Sequence, residues 1–286
     1  MRRFWLKFDE IFMRTVMFLC TILIVTILFI ILYSIFKKGL PALSWEMISQ
    51  VPKGGYYLGK EGGILNAIIG SLYLALGSTV LALVVSLPVA LYLNTQLVRY
   101  GRLTEFVRFL MDLMWGVPSI VYGAFAFTIM IALGIRASLL AGIITVALFI
   151  IPIMLRSMDE ILKTTPRGLL EASISLGSTY SEVSYRVYLK QCLPGIVTAV
   201  LLSFGRAIGD AAAILFTTGY TDHIPTSLSQ PSATLPLSIF FQLSSPIPEV
   251  QNRAYASAVV LMVIILIISI VSRILANRFI KHQIKH

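Results

Sequence analysis

The chain has 286 residues, of which 57% are hydrophobic and only 13% charged, with a formal net charge of +10. So few charges cannot coat a water-soluble globule of this length, and a mean hydropathy of +0.88 places the chain in a membrane. Its basic residues are spread over the ends of apolar segments rather than clustered. That pattern speaks for membrane orientation and against a nucleic-acid surface.

Uncharged stretches cover residues 15–36, 62–98, 113–135, 137–155 and 254–272, each near or above the ~20 residues that a spanning helix needs. A further stretch, 194–221, is interrupted only by Arg206 and Asp210. Six spans with short connections predict an all-α membrane protein with six transmembrane helices. Arg2, Arg3 and Lys7 precede the first stretch as they would in a secretory signal, but Phe36-Lys37-Lys38 follows it where a small-residue cleavage site would stand. It is therefore expected to remain as a helix. Residues 37–63, with Pro41, Pro52, Trp45, Tyr56 and Tyr57, read as an external loop whose aromatics rest at the interface. Placing both termini in the cytoplasm leaves only Lys37, Lys38, Lys53, Lys60, Arg136 and Arg253 outside, apart from Arg206 within a span.

Pro88 lies within the second span, where a modest kink is expected. The next internal loop carries Arg99, Arg102 and Arg108, and Asp112 stands four residues beyond Arg108 on the same helical face, as an ion pair requires. Trp115-Gly116-Val117-Pro118-Ser119 opens the third span with a predicted break, because glycine and proline together oppose an uninterrupted helix. The fourth span is expected to end at Ile151-Pro152. Between 217 and 252 the chain has no lysine or arginine but has Pro225, Pro231, Pro236, Pro246 and Pro248. There Leu235–Gln242 either forms a short helix at the outer mouth or packs on the surface.

The polar stretch 156–192 is too hydrophilic to cross a bilayer. Thr165-Pro166 predicts a helix start with a hydroxyl cap, the helix running to about Leu176. Gly177 supplies the left-handed residue that ends it, and Thr179 with Glu182 has capping-box spacing for a second short helix. Such a pair is either an amphipathic surface loop or a lever that offers Leu169, Leu170, Ile174 and Leu176 to a partner's groove. In the fifth span Arg206 and Asp210 lie one turn apart, and charges at membrane depth cost on the order of several kcal/mol unless matched or functional. Either they neutralise each other or a neighbouring helix to fix packing, or Arg206 borders a permeation route and attracts an anion that Asp210 orients.

The spacing Glu171-Ala172-Ser173, Gly177, Val187-Tyr188-Leu189 resembles the cytoplasmic EAA loop of ABC-importer permeases. It departs from that pattern in Ser173 for the second alanine, Val187 for isoleucine and Lys190 for proline. The run 206–217, Arg-Ala-Ile-Gly-Asp-Ala-Ala-Ala-Ile-Leu-Phe-Thr, is similar to the R-x-x-G-E-T-A-P-L-L-F-T run of phosphate-importer permeases (the PstA/PstC family), with Asp210 in place of glutamate. The resemblance implies a type I ABC-importer permease fold, with residues 62–280 as the permease domain and 1–61 holding the cytoplasmic N-terminus, an accessory helix and an external loop. It implies inorganic phosphate as cargo, with Arg206, Asp210 and Ser119 on its route. Glu171, Ala172, Gly177, Leu169 and Leu170 are then expected to couple to an ATPase. The implied partners are two ATP-binding subunits, a second related permease of the PstC kind, an extracytoplasmic phosphate-binding protein and membrane lipid.

No G-x-x-x-x-G-K-[ST] loop occurs, so ATP and magnesium are expected on the partner ATPase and no cofactor on this chain. Cys20 and Cys192 fall at different membrane depths, and His223, His282 and His286 lack ligand spacing, so neither a disulfide nor a metal site is expected. A secondary transporter using Arg206 and Asp210 as an ion relay is the competing class, and it would call for inverted repeats that the sequence lacks.

Overall fold

The computed structural model describes residues 2–53 and 61–280. Tyr56, Tyr57, Lys60, His282 and His286 lie outside the described residues. Helix dominates because a chain this apolar has to satisfy its backbone polar groups internally. The first helix, α1 (Arg2–Gly39), is unbroken, and its apolar residues from Ile11 to Ile31 are exposed. Near its end Lys38 stacks over Tyr255, with Nζ 4.8 Å from the ring centroid. A short helix, α2 (Trp45–Ser49), starts where the Ser44 hydroxyl accepts the Met47 N–H, and a two-residue ribbon pairs β1 (Pro52–Lys53) antiparallel with β2 (Glu61–Gly62).

Two long helices, α3 (Leu65–Thr95) and α6 (Leu139–Lys163), form the centre, with Leu74, Ala82 and Leu91 buried with Val146, Ile150 and Met154 in one cluster. Lipid is as apolar as leucine, so hydroxyl bonds and close packing between helices count for more here than transfer from water. Accordingly α3 buries Ser71, Ser78, Ser86 and Thr95. The Ser86 hydroxyl donates to the Ile151 carbonyl of α6 at 3.3 Å, and Thr95 and Ser184 hydroxyls meet at 2.8 Å, each worth roughly 0.6 kcal/mol by membrane-protein averages.

The fourth span does not end at Pro152, because α6 runs through it to Lys163. Proline removes one backbone bond, and the buried stripe of Met154, Leu155, Met158 and Leu162 beyond it keeps the helix in register with its neighbours. The third span is broken as expected: α4 (Gly101–Gly116) and α5 (Ser119–Ala132) meet at 93°.

Next come α7 (Arg167–Ser175) and α8 (Tyr180–Val183), which passes through a π-helical turn, Ser184–Tyr188, into α9 (Leu189–Gly209). Thus the second short helix is not separate from the fifth span but is its first turn. That span ends at Gly209, with turns through residues 212–218, so the apolar stretch 194–221 is only half helical.

The remaining elements are α10 (Leu235–Leu243) and α11 (Pro248–Ile280). Of the two readings of Leu235–Gln242, the structure takes the short helix. Leu235, Leu237 and Ser238 are buried, and the Leu235 N–H donates to Ser71 Oγ on α3 at 2.8 Å. Among the described residues five helices are long and apolar enough to cross a membrane, or six if α4 and α5 count as one bent span.

Candidate functional site

Arg206 projects from the last turn of α9 into a cavity of about 460 Å³ walled by the α4–α5 corner, Trp115 to Ser119, and by Phe149, Ile153 and Ser157 of α6. Its guanidinium lies 5.2 Å from the Phe149 ring centroid, a cation–π contact that orients the cation without neutralising it. Among the described residues no carboxylate stands within ion-pair distance of Arg206. The side chain is exposed on this chain taken alone.

The sequence brings Ser119 to the same cavity by local chemistry. Proline at 118 offers no N–H and pushes Val117 out of the helical region, to φ −76 and ψ 128, so α4 must stop. Ser119 then begins α5, whose first amides have no partner within the helix, and this end lines the Arg206 cavity. The corner is tied by Tyr122, whose hydroxyl donates to the Met114 carbonyl at 2.8 Å. Gly123 lets α5 approach the turn beyond α9, where a Cβ would sit 2.6 Å from the Ala213 carbonyl oxygen.

Asp210 does not join them. It lies just past the end of α9 in extended backbone, 8% exposed, and its Oδ1 accepts the Ala213 N–H at 2.9 Å. No ion pair joins it to Arg206, and it is not among the residues that line the Arg206 cavity. It caps a turn. A four-residue spacing assumed continuous helix, and the helix ends one residue too soon.

The 165–183 segment follows the expectation at its end more closely than at its start. Pro166 is the cap residue of α7 and no side chain caps it; the Thr165 hydroxyl meets Cys192 Sγ at 3.0 Å instead, pinning the segment to α9. At the far end Gly177 has φ +88, and Thr179 and Glu182 form the reciprocal capping box. The apolar set divides: Leu170 is buried and Leu169 and Ile174 are half-buried, while Leu176 is 87% exposed. Glu171, Ala172 and Gly177 are exposed with Leu176, and Glu171 also lines a cavity against the bundle.

Beside it lies a charged joint that sequence spacing missed. Asp159 of α6, fully buried, accepts Arg108 Nε and Nη2 from α4, each at 3.0 Å, Asn94 Nδ2 from α3 at 2.8 Å and Lys163 Nζ at 2.9 Å. Arg108 thus pairs with Asp159 and not with Asp112, which meets Arg156 at 3.4 Å. Helical periodicity shows neighbours three and four residues apart, whereas these partners are 51 and 65 positions apart. Spacing could show one part of the joint, Lys163 four residues beyond Asp159 on α6, but not the partners from α3 and α4. Arg108 and Lys163 also line a cavity of about 420 Å³ together with Leu170 and Glu171 of α7.

Residues 82–281 match the family described as binding-protein-dependent transport system inner membrane component. The chain belongs to that family. It is 34% identical over 247 residues to the phosphate transport system permease protein PstA of Pasteurella multocida, covering 85% of this chain and 86% of that protein. It is 30% identical to PstA of Haemophilus influenzae over 277 residues, 96% of each chain. Its fold is similar to a chain of the inward-facing MetNI methionine ABC transporter, with a TM-score of 0.63 and 20% identity over 76% of this chain and 95% of that one.

Proposed function

We propose that the chain is one of two membrane-spanning permeases of an ATP-driven importer and passes inorganic phosphate inward by alternating access. The observation that carries this reading is the shared cavity of Arg206 and the α5 N-terminus, where a guanidinium matched to no carboxylate among the described residues lines the same space as the first turn of a helix. A tetrahedral oxyanion needs donors from several directions. Guanidinium supplies forked N–H groups, and the first turn of a helix supplies more. Phosphate as the cargo is taken from the relatives named for its transport.

In this reading Arg206 is open on one side because a second related permease, of the PstC kind, supplies the opposite wall of the route. Two ATP-binding subunits hold ATP and magnesium and hydrolyse ATP, and this chain binds neither. They dock on the face of Glu171, Ala172, Leu176 and Gly177, while Leu169 and Leu170 root the helix in the bundle. Both termini and this loop then face the cytoplasm of a prokaryote. An extracytoplasmic phosphate-binding protein delivers cargo at the end that holds α2 and α10, and lipid surrounds the rest. Closure of the ATPase displaces α7 as a rigid body, and the packed bundle switches between two arrangements rather than deforming smoothly. The cation–π contact on Phe149 leaves the guanidinium charged and oriented yet able to release its anion.

Uptake by the reconstituted complex in proteoliposomes tests the reading. Phosphate accumulation that requires both ATP and the binding protein is expected. Accumulation of sulfate or molybdate in its place would overturn the cargo.

A further inference from the structure

The wall of the Arg206 cavity is built by the end of α4, yet α4 is attached to the bundle mainly near its middle. Of its residues only Thr104 and Met111 are buried, and Trp115 at the cavity is exposed. Met111 packs into the core, and two sets of charges fix α4 to α6: Asp112 meets Arg156 at 3.4 Å, and Arg108 grips both oxygens of the buried Asp159, each at 3.0 Å, with Asn94 of α3 completing that joint at 2.8 Å. From Arg108 to Trp115 is about 10 Å along one uninterrupted helix at the usual rise per residue. Beyond Trp115 the corner turns by 93° into α5, which is held against the turn after α9 at Gly123.

The other side of the joint faces the coupling segment. Arg108 and Lys163, both bonded to Asp159, line the same cavity as Leu170 and Glu171 of α7. A second carboxylate therefore stands at the cavity that the two cations share. Displacement of α7 alters the surroundings of these charges. A buried carboxylate bonded in this way resists separation, because loosening one partner leaves charge unmatched in a poorly solvated place.

We propose that Arg108 is a positioning residue for transport: its paired hydrogen bonds to Asp159 carry the movement of α7 into α4 and so into the cavity wall at Trp115 to Ser119. This rests on the importer reading above, but it concerns the linkage and not the cargo. The two-oxygen grip makes the joint stiff in orientation as well as distance, which a single ammonium cannot reproduce.

The test uses the whole complex in lipid, with spin labels at Met114→Cys on α4 and Leu148→Cys on α6 and the native cysteines replaced. In the otherwise wild-type complex the inter-label distance is expected to shift between the nucleotide-free and ATP-trapped states. Arg108→Gln is expected to assemble and keep basal ATP hydrolysis within about twofold, to lose that shift, and to lower phosphate moved per ATP by about fivefold or more. Arg108→Lys should recover an intermediate value. Retention in Arg108→Gln of both the shift and the transport ratio would overturn the proposal. So would failure of both variants to assemble, which would make Arg108 a purely structural residue. A wild-type complex that shows the shift but moves no phosphate would overturn the cargo reading and leave the joint standing.

Discussion

Two regions of this chain treat their cations in opposite ways. At the coupling end Arg108 and Lys163 converge on the fully buried Asp159, and Arg156 is matched by Asp112 and Glu160. At the cavity Arg206 has an aromatic ring and a helix N-terminus nearby, while the carboxylate expected for it caps a turn. Matched charges fix geometry, because parting them is costly. An unmatched cation keeps its attraction for a transient anion. The same residue type is thus locked in ion pairs in one place and left without a carboxylate in the other, the arrangement that the proposed anion route requires.

The contrast can be broken experimentally. Arg206→Gln should lower phosphate uptake by roughly 100-fold or more while the complex still assembles, the loss being that of a forked, charged donor on the route; uptake by proteoliposomes measures it, and unchanged uptake would return Arg206 to a packing role. Asp159→Ala should destabilise the permease by about 3–5 kcal/mol, since it strands cations that had been matched; thermal unfolding of the purified complex would register this as a large drop in Tm. Gly177→Val places a β-branched residue at φ +88, and Glu171→Arg reverses a charge on the exposed face. Each should remove cargo-stimulated ATP hydrolysis and leave insertion intact, and normal stimulation in both would refute the lever. The smallest effect should come from Thr179→Ala, which loses the capping box at about 1 kcal/mol, seen as faster amide exchange over residues 179–183.

What local rules govern was legible in the sequence. Apolar runs announced the spans, Gly116 to Pro118 announced the break before α5, and Gly177, Thr179 and Glu182 specified the end of α7 and the start of α8. Each depends on residues within a turn of one another. Where a distant partner decides, the sequence misled. Arg108 took a buried carboxylate 51 positions away over Asp112 four away, and Thr165 met Cys192 in place of capping α7. Pro152 did not end α6, because packing beyond it outweighed one missing bond. The cavity was half legible: Arg206 and Ser119 meet there, but Asp210 does not, since α9 ends at Gly209. In the 165–183 loop Leu176 is exposed as expected, whereas Leu170, expected beside it, is buried against the bundle.

Thiol labelling at Ser119 addresses the central claim most directly. In a complex whose native cysteines are replaced, a Ser119→Cys variant should react with a charged methanethiosulfonate, lose phosphate uptake as it does so, and be protected by added phosphate when the binding protein and ATP are present. Labelling that phosphate does not slow, or that leaves uptake intact, would contradict a phosphate route past Arg206.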